Sequence, residues 1–336
     1  MNKLCYRIIF NKVRGMLMVV PDIARSGYGH LARRRQRNSR TEKPIRISPL
    51  SFALWLAAGA VSLPAQANIV ADSSAPGNQQ PTVMSTANGL PQINIQTPNG
   101  QGVSRNQYSQ LDVGERGAIL NNSHQNTRTQ LGGMVAANPW LSKQEASVIL
   151  NEVNSRNPSQ LNGFIEVAGK RAAVVIANPA GITCNGCGFI NASRNTLTTG
   201  QPIMENGQLK GFDVNGGRIN IEGKGLNDSD ADYTQIVAQS VAVNARLHAR
   251  ELNVVTGRNQ VATEGSVTTV KTRDATARPA YALDVAALGG MYANKITLTG
   301  TEKGVGVRNA GELGAGAGEL RLTVDGRLEN SGTLQS

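Results

Sequence analysis

Aromatic side chains are scarce, at 4% of 336 residues. Beyond residue 67 only Tyr108, Trp140, Phe164, Phe189, Phe212, Tyr233, Tyr281 and Tyr292 remain. A compact globular core leans on aromatics for bulk. A solenoid does not, because it stacks Val, Ile, Leu and Ala in thin coils. A charge field of one sign is also missing from most of the chain. Of 34 Lys/Arg and 23 Asp/Glu, 12 and 2 fall in residues 1–67, so that segment holds +10 of the formal +11. The remainder, at +1, offers no field for phosphates, and no nucleic-acid partner is expected. Past residue 67 the histidines are His124 and His248, far apart and without acidic or Cys neighbours at ligand spacing. Neither a metal site nor a cofactor is expected. Clustered carboxylates, which polysaccharide-cleaving β-helices need, are lacking too. Asp228, Asp230 and Asp232 alternate, and the run reads as a solvated loop.

What is present begins with an export signal. Residues 47–63 form an apolar run without a charge, preceded by Arg33-Arg34-Arg35, Arg37, Arg40, Lys43 and Arg46. Ala65-Gln66-Ala67 follows, the small-residue pattern after which signal peptidase cuts. A membrane anchor is the competing reading. The run sits at the short limit of a bilayer span and ends in a cleavage pattern, which favours removal. Residues 1–67 are therefore read as an extended signal peptide handled by the Sec machinery and signal peptidase, cleaved after about Ala67. Residues 1–25 mix bases, aromatics and apolar side chains and exceed what an ordinary n-region needs.

Beyond the cut the chain reads as β. Residues 68–90 divide between a cap and a disordered linker. In Pro91-Gln92-Ile93-Asn94-Ile95-Gln96, Ile93 and Ile95 share one face of a strand. One short helix is expected. Ser142 and Glu145 form a capping box, Ala146, Ile149, Leu150 and Val153 follow at helical spacing, and Asn157-Pro158 ends it. Residues 164–167 and 172–176 flank Gly169-Lys170 as a hairpin. Short strands follow at 218–222, 236–243, 251–256, 260–263, 295–299 and 319–324.

Asn309-Ala310-Gly311-Glu312-Leu313 recurs 21 residues later as Asn330-Ser331-Gly332-Thr333-Leu334. A period near 20 with Gly/Asn corners suits one coil of a β-helix, and the length allows about 12 coils. A β-sandwich is the alternative. Residues 291–336 read as the start of such repeats, with residues 68–290 as the domain before them. The chain stops at Leu334-Gln335-Ser336 inside a repeat, so a fragment or truncated form of a longer protein is expected.

Two turns stand out. Asn178-Pro179-Ala180-Gly181-Ile182 has type I turn chemistry, in which Pro presets φ and Asn bonds back to its own backbone. Asn138-Pro139-Trp140-Leu141 is a second Asn-Pro corner. Between Cys184 and Cys187 lie Asn185-Gly186. One Cys-x-x-Cys is half a zinc site, and Cys5 in the leader supplies no second pair. In an exported protein an oxidised pair is the default, so a small disulfide is expected.

Residues 177–184 and 188–191 together resemble the central motif of the two-partner-secretion (haemagglutination activity) domain of filamentous haemagglutinins and contact-dependent inhibition proteins. Ala231-Asp232-Tyr233-Thr234, Val243-Asn244-Ala245, residues 249–260 and residues 289–296 add matches in order. The leader resembles that family's extended signal region. The resemblance implies an all-β fold: a right-handed parallel β-helix with an N-terminal cap and small extra-helical hairpins. It implies type Vb export through an outer-membrane partner transporter of the TpsB/Omp85 type with periplasmic POTRA domains. Asn138, Pro139, Asn178, Pro179, Gly181 and Ile182 become secretion-motif residues. The family's usual Asn at the third turn position is replaced here by Trp140 and Ala180. Surface receptors on host or neighbouring cells are further implied partners. The functions implied are a non-enzymatic adhesin module or the export segment of a toxin carrier.

Overall fold

The computed structural model describes residues 6–11, 16–21, 67–142, 144–271 and 278–336. The chain divides into two units, Met1–Val61 and Ser62–Ser336. In the first, Tyr6–Asn11 pairs antiparallel with Met16–Pro21. The apolar run at 47–63 and Ala65 lie outside the described residues.

The second unit is a parallel β-helix. One coil shows how the sequence builds it. Ala172–Ala177 lies on the first face, Ile182–Cys184 on the second and Cys187–Ile190 on the third. Alternate side chains point inward, so Val174, Ile176, Ile182, Cys184, Cys187 and Phe189 join one core. Side chains from successive coils then stack in ladders, Val174 on Ile149 and Ile182 on Ile219. Connections between parallel strands of this kind are right-handed.

Among the described residues the first face has eight parallel strands, from Val103–Asp112 to Leu320–Val324. This is fewer than the coil count the length allows, because chain is spent outside the coils. Gln201–Glu205, Gln208–Asp213, Asn259–Ala262 and Val267–Val270 form a four-stranded antiparallel sheet. It covers outward-facing Val175 and Leu150 with Phe212, and Val237 and Val255 with Val261. Thr127–Thr129 and Gly133–Val135 form a further hairpin.

The cap is ordered rather than a linker. Asn68–Ala71 pairs antiparallel with Val103–Asp112, and Thr82–Ser85 with Pro91–Asn94. These antiparallel strands close the N-terminal end, where open edges would otherwise template association. Ile93 and Ile95 are both buried, as their shared face requires.

Three local expectations are corrected. No α-helix is present among the described residues, and the expected helix is the first-face strand Val148–Val153. Ile149 and Val153 face the solenoid core, while Leu150 lies under Phe212 outside it. Burial on both sides erased the period-2 pattern and left helix-like spacing. Glu145 caps nothing there and instead contacts His124. The expected hairpin at 164–176 is a corner. Phe164–Gly169 is on the third face and Ala172–Ala177 on the first, each paired in parallel with neighbouring coils. Gly169 turns that corner at φ +78, where an added Cβ would sit 2.5 Å from Ser123 Cβ. Residues 236–243 are not one strand but parts of two, Tyr233–Ala238 and Ser240–Val243, because the aliphatic run crosses a corner without Gly or Pro.

The late repeat falls in register, with Asn309 opposite Asn330, Glu312 opposite Thr333 and Leu313 opposite Leu334. Stacked parallel sheets exclude the sandwich.

Candidate functional site

The Asn178 turn joins first-face strand Ala172–Ala177 to second-face strand Ile182–Cys184. Its Oδ1 accepts from Ala180 N at 2.9 Å, and its carbonyl accepts from Gly181 N at 3.0 Å. These two bonds close the turn that Pro179 presets. Gly181 then takes φ +119, where a Cβ would meet Arg218 O at 3.0 Å. Nδ2 points the other way. It donates to Asn157 O at 2.9 Å and Ser159 Oγ at 3.0 Å, both in the preceding coil. Asn178 is wholly buried, and Ile182 beside it is core.

The Asn138 turn repeats the device. Oδ1 accepts from Trp140 N at 3.0 Å, and the carbonyl accepts from Leu141 N at 3.1 Å. Nδ2 donates to Ile95 O at 2.9 Å and Asn121 O at 2.8 Å. Each asparagine thus closes its own turn and staples it to another coil. Asparagine suits this role because one side chain carries both acceptor and donors. The third positions take no part through their side chains in closing either turn: Trp140 is 43% exposed.

Cys184 ends the second-face strand and Cys187 opens the third-face strand of the same coil. They are joined as a disulfide with Cα atoms 5.3 Å apart, both buried. Gly186 turns this corner at φ +88, and Asn185 Oδ1 accepts from Lys224 N at 2.9 Å in the next coil. The Asn178 turn, Ile182 and the cysteines are thus brought together in one coil, while the Asn138 turn lies toward the cap. Thiol counting on denatured secreted protein should find no free thiol without reductant, and two would contradict the pairing. Replacing both cysteines by serine should cost about 2 kcal/mol, the loop-entropy value for so short a ring, read from the urea midpoint.

The alternating acids are corrected in part. Asp230 and Asp232 are exposed, and Asp232 bridges Arg171 and Arg250, each at 3.0 Å. Asp228 instead points into the solenoid with no solvent exposure. It accepts from Asn195 Nδ2 at 2.8 Å and Thr234 Oγ1 at 2.6 Å. Burial pushes its pKa up to about 7. Strand alternation around Leu226 was the available signal, since Leu226 and Asp228 share parity and Leu226 is core.

His124 contacts Glu145, and His248 stacks on Tyr292 with ring centroids 5.1 Å apart. Among the described residues no three His, Cys, Asp or Glu converge as a metal site. Sequence reading also missed the interior asparagines. Asn121 Nδ2 donates to Asn94 Oδ1 at 2.9 Å, and Asn309 Nδ2 to Asn330 Oδ1 at 2.8 Å. Recurrent Asn at corner positions was the signal.

This is a capped parallel β-helix in which the asparagine side chains of the two turns pin one coil to another. Residues 67–330 match the TPS secretion domain, and residues 1–56 match the Extended Signal Peptide of Type V secretion system. The chain belongs to the TPS secretion domain family. It is similar to Toxin CdiA of Yersinia pestis, at 59% identity over 100% of this chain and 10% of that protein. It is 43% identical to tRNA nuclease CdiA-2 of Burkholderia pseudomallei, over 99% of this chain and 11% of that protein. The solved filamentous hemagglutinin secretion domain aligns with TM-score 0.67 and 30% identity, covering 80% of this chain and 100% of that one. The chain therefore spans about a tenth of the length of these curated relatives. It is a secretion module of the exoprotein class, exported to the surface of a Gram-negative bacterium.

Proposed function

We propose that residues 68–336 act as a non-enzymatic export module that leads a large β-helical exoprotein through a TpsB/Omp85-type transporter. Sec and signal peptidase deliver it to the periplasm by cleavage after Ala67. The order along one chain carries this reading: extended signal, small-residue cleavage pattern, then secretion-domain fold. Cleavage there frees Asn68, the first residue of the cap strand, which sits opposite Asp112. Residues 68–290 act as the domain and 291–336 as the first repeats.

Asn138 and Asn178 are buried once the coils form. Their part in secretion is therefore in folding at the far side, or in recognition before folding. A transporter's POTRA domain would take the unfolded chain by strand addition, which alternating β sequence supports. The disulfide closes a ring of four residues, so it leaves the chain single-file. Isolated POTRA domains should bind urea-unfolded, freshly diluted chain and not the folded protein. Equal binding of both forms would sink strand addition to an unfolded chain.

A toxin carrier is favoured over a pure adhesin by the names of the relatives, Toxin CdiA and tRNA nuclease CdiA-2. In that reading the nuclease or other toxic activity, and the target-cell receptor, belong to the full-length protein.

A further inference from the structure

Six asparagines beyond the leader precede a glycine: Asn88, Asn99, Asn162, Asn185, Asn206 and Asn215. At such a pair the asparagine side chain can close on the next backbone nitrogen, because glycine has no Cβ to obstruct the ring. The fold holds four of the six in place. Gly89 N donates to Thr86 O at 2.9 Å, and Gly186 N to Gly225 O at 2.8 Å. Asn99 Oδ1 accepts from Gln101 N at 2.9 Å and Val103 N at 3.1 Å. Gly163 is so enclosed that a Cβ would sit 2.3 Å from Gly114 O. Asn206 and Asn215 are exposed. Asn206 is at the hairpin tip between Gln201–Glu205 and Gln208–Asp213.

Asn215 has different surroundings. It lies where the chain leaves the extra-helical sheet after Asp213 and returns to the second face at Arg218–Ile221. Lys271 follows Val267–Val270 of the same sheet, and its backbone N donates to Arg258 O at 3.0 Å. Lys271 Nζ contacts Asn215 Oδ1 and lies 2.6 Å from Asp213 Oδ1. Asn215 Nδ2 donates to Asp213 Oδ2 at 3.1 Å. A cation thus sits on the amide oxygen and a carboxylate on the amide nitrogen. A Cβ on Gly216 would meet nothing nearer than Gln239 Oε1 at 3.8 Å, so the backbone has room to turn. Two nitrogens could attack this amide, Gly216 N and Lys271 Nζ. Burial works to raise the Asp213 pKa, but hydrogen bonds from Lys271 and Asn215 outweigh it and hold it below the usual carboxylate range. An ionised Asp213 keeps Lys271 an ammonium, which has no lone pair to attack with.

We propose that Asn215 is a self-modifying site, at which Gly216 N displaces ammonia from the side-chain amide while Lys271 steadies the developing oxyanion. The bond formed is Gly216 N to Asn215 Cγ, and the bond broken is Cγ to Nδ2. The Gly216 N proton passes to solvent, the departing amine takes one back, and ammonia leaves. Water then opens the cyclic imide at either carbonyl, giving aspartate or isoaspartate, with no oxidant or cofactor. A cation already placed on the oxygen that gains charge is the usual device for such a step. Lys271 and Asn215 are 56 residues apart, so the arrangement exists only after folding. The reaction therefore marks folded molecules, however the chain crosses the membrane. It also turns a neutral side chain beside Asp213 into a second carboxylate for Lys271.

The test is peptide mass mapping of full-length secreted protein, held folded at neutral pH and sampled over days. Conversion of amide to acid at Asn215 is expected to run about tenfold faster than at Asn206 in the same molecules. Lys271→Gln should slow Asn215 by about tenfold and leave Asn206 unchanged, while Lys271→Arg, which keeps the cation, should retain most of the rate. In urea the lead of Asn215 over Asn206 should vanish. Thermal melts check that each variant is folded, and the folded-against-urea comparison of wild type carries the test if Lys271→Gln is not. Asn215 reacting no faster than Asn206 in the folded protein overturns the site. An unchanged rate in folded Lys271→Gln overturns the part given to Lys271. A peptide joining residues 215 and 271 with loss of ammonia would make Lys271 the attacking group and overturn the part given to Gly216.

Discussion

Asn178→Ala is expected to lower the unfolding free energy by about 2–4 kcal/mol. The side chain makes one turn-closing bond and two inter-coil bonds from a wholly buried position. Alanine removes all three and strands Asn157 O and Ala180 N, each without its side-chain partner. Asn178→Asp should be at least as damaging. It keeps the acceptor for Ala180 N but faces a carboxylate toward Asn157 O. Ala180→Asn, which changes only the third turn position, should stay within about 0.5 kcal/mol of wild type. Urea unfolding followed by circular dichroism measures all three. A shift for Asn178→Ala no larger than that for Ala180→Asn would mean the staple is not what Asn178 contributes.

The second large effect is a pH dependence that runs opposite to ordinary acid denaturation. Asp228 has a folded pKa near 7, against about 3.9 in an unfolded chain. Its folded-state pKa is raised, so its contribution to stability is fully present below about pH 4. It is lost progressively as the pH rises through 7. The size is of the order of 4 kcal/mol across that window. Asp72, Asp213 and Glu264 are held below their usual range and act the other way, at lower pH. Asp228→Asn isolates the interior group, since an amide still offers Asn195 an acceptor and never ionises. The urea midpoint of Asp228→Asn should match wild type near pH 4, draw ahead of it from pH 5, and exceed it clearly at pH 8. Parallel wild-type and variant curves from pH 5 to 8 would contradict a carboxyl that burial keeps from ionising in the folded protein.

Local chemistry was legible in the sequence, and partner choice was not. The leader, the strand at 251–256, the Asn-Pro turns and the repeat at 309 and 330 depend on near neighbours. Which face a strand joins depends on a chain 20 or more residues away. That is why Gly169-Lys170 read as a hairpin turn when it is a coil corner. Val148–Val153 failed for a related reason, because the sheet that buries Leu150 comes from residue 212. Asp228 read as solvated because its neighbours Asp230 and Asp232 are, although parity with Leu226 placed it inside.

Export with a partner transporter is measured by a secretion assay. The full chain is expressed with and without a cognate TpsB/Omp85-type transporter, and the protein in the medium is quantified and its N-terminus sequenced. Folded protein beginning at Asn68 is expected, present only with the transporter and reduced for Asn178→Ala. Wild-type protein in the medium without any transporter, or retained in the periplasm with its cognate one, would contradict it.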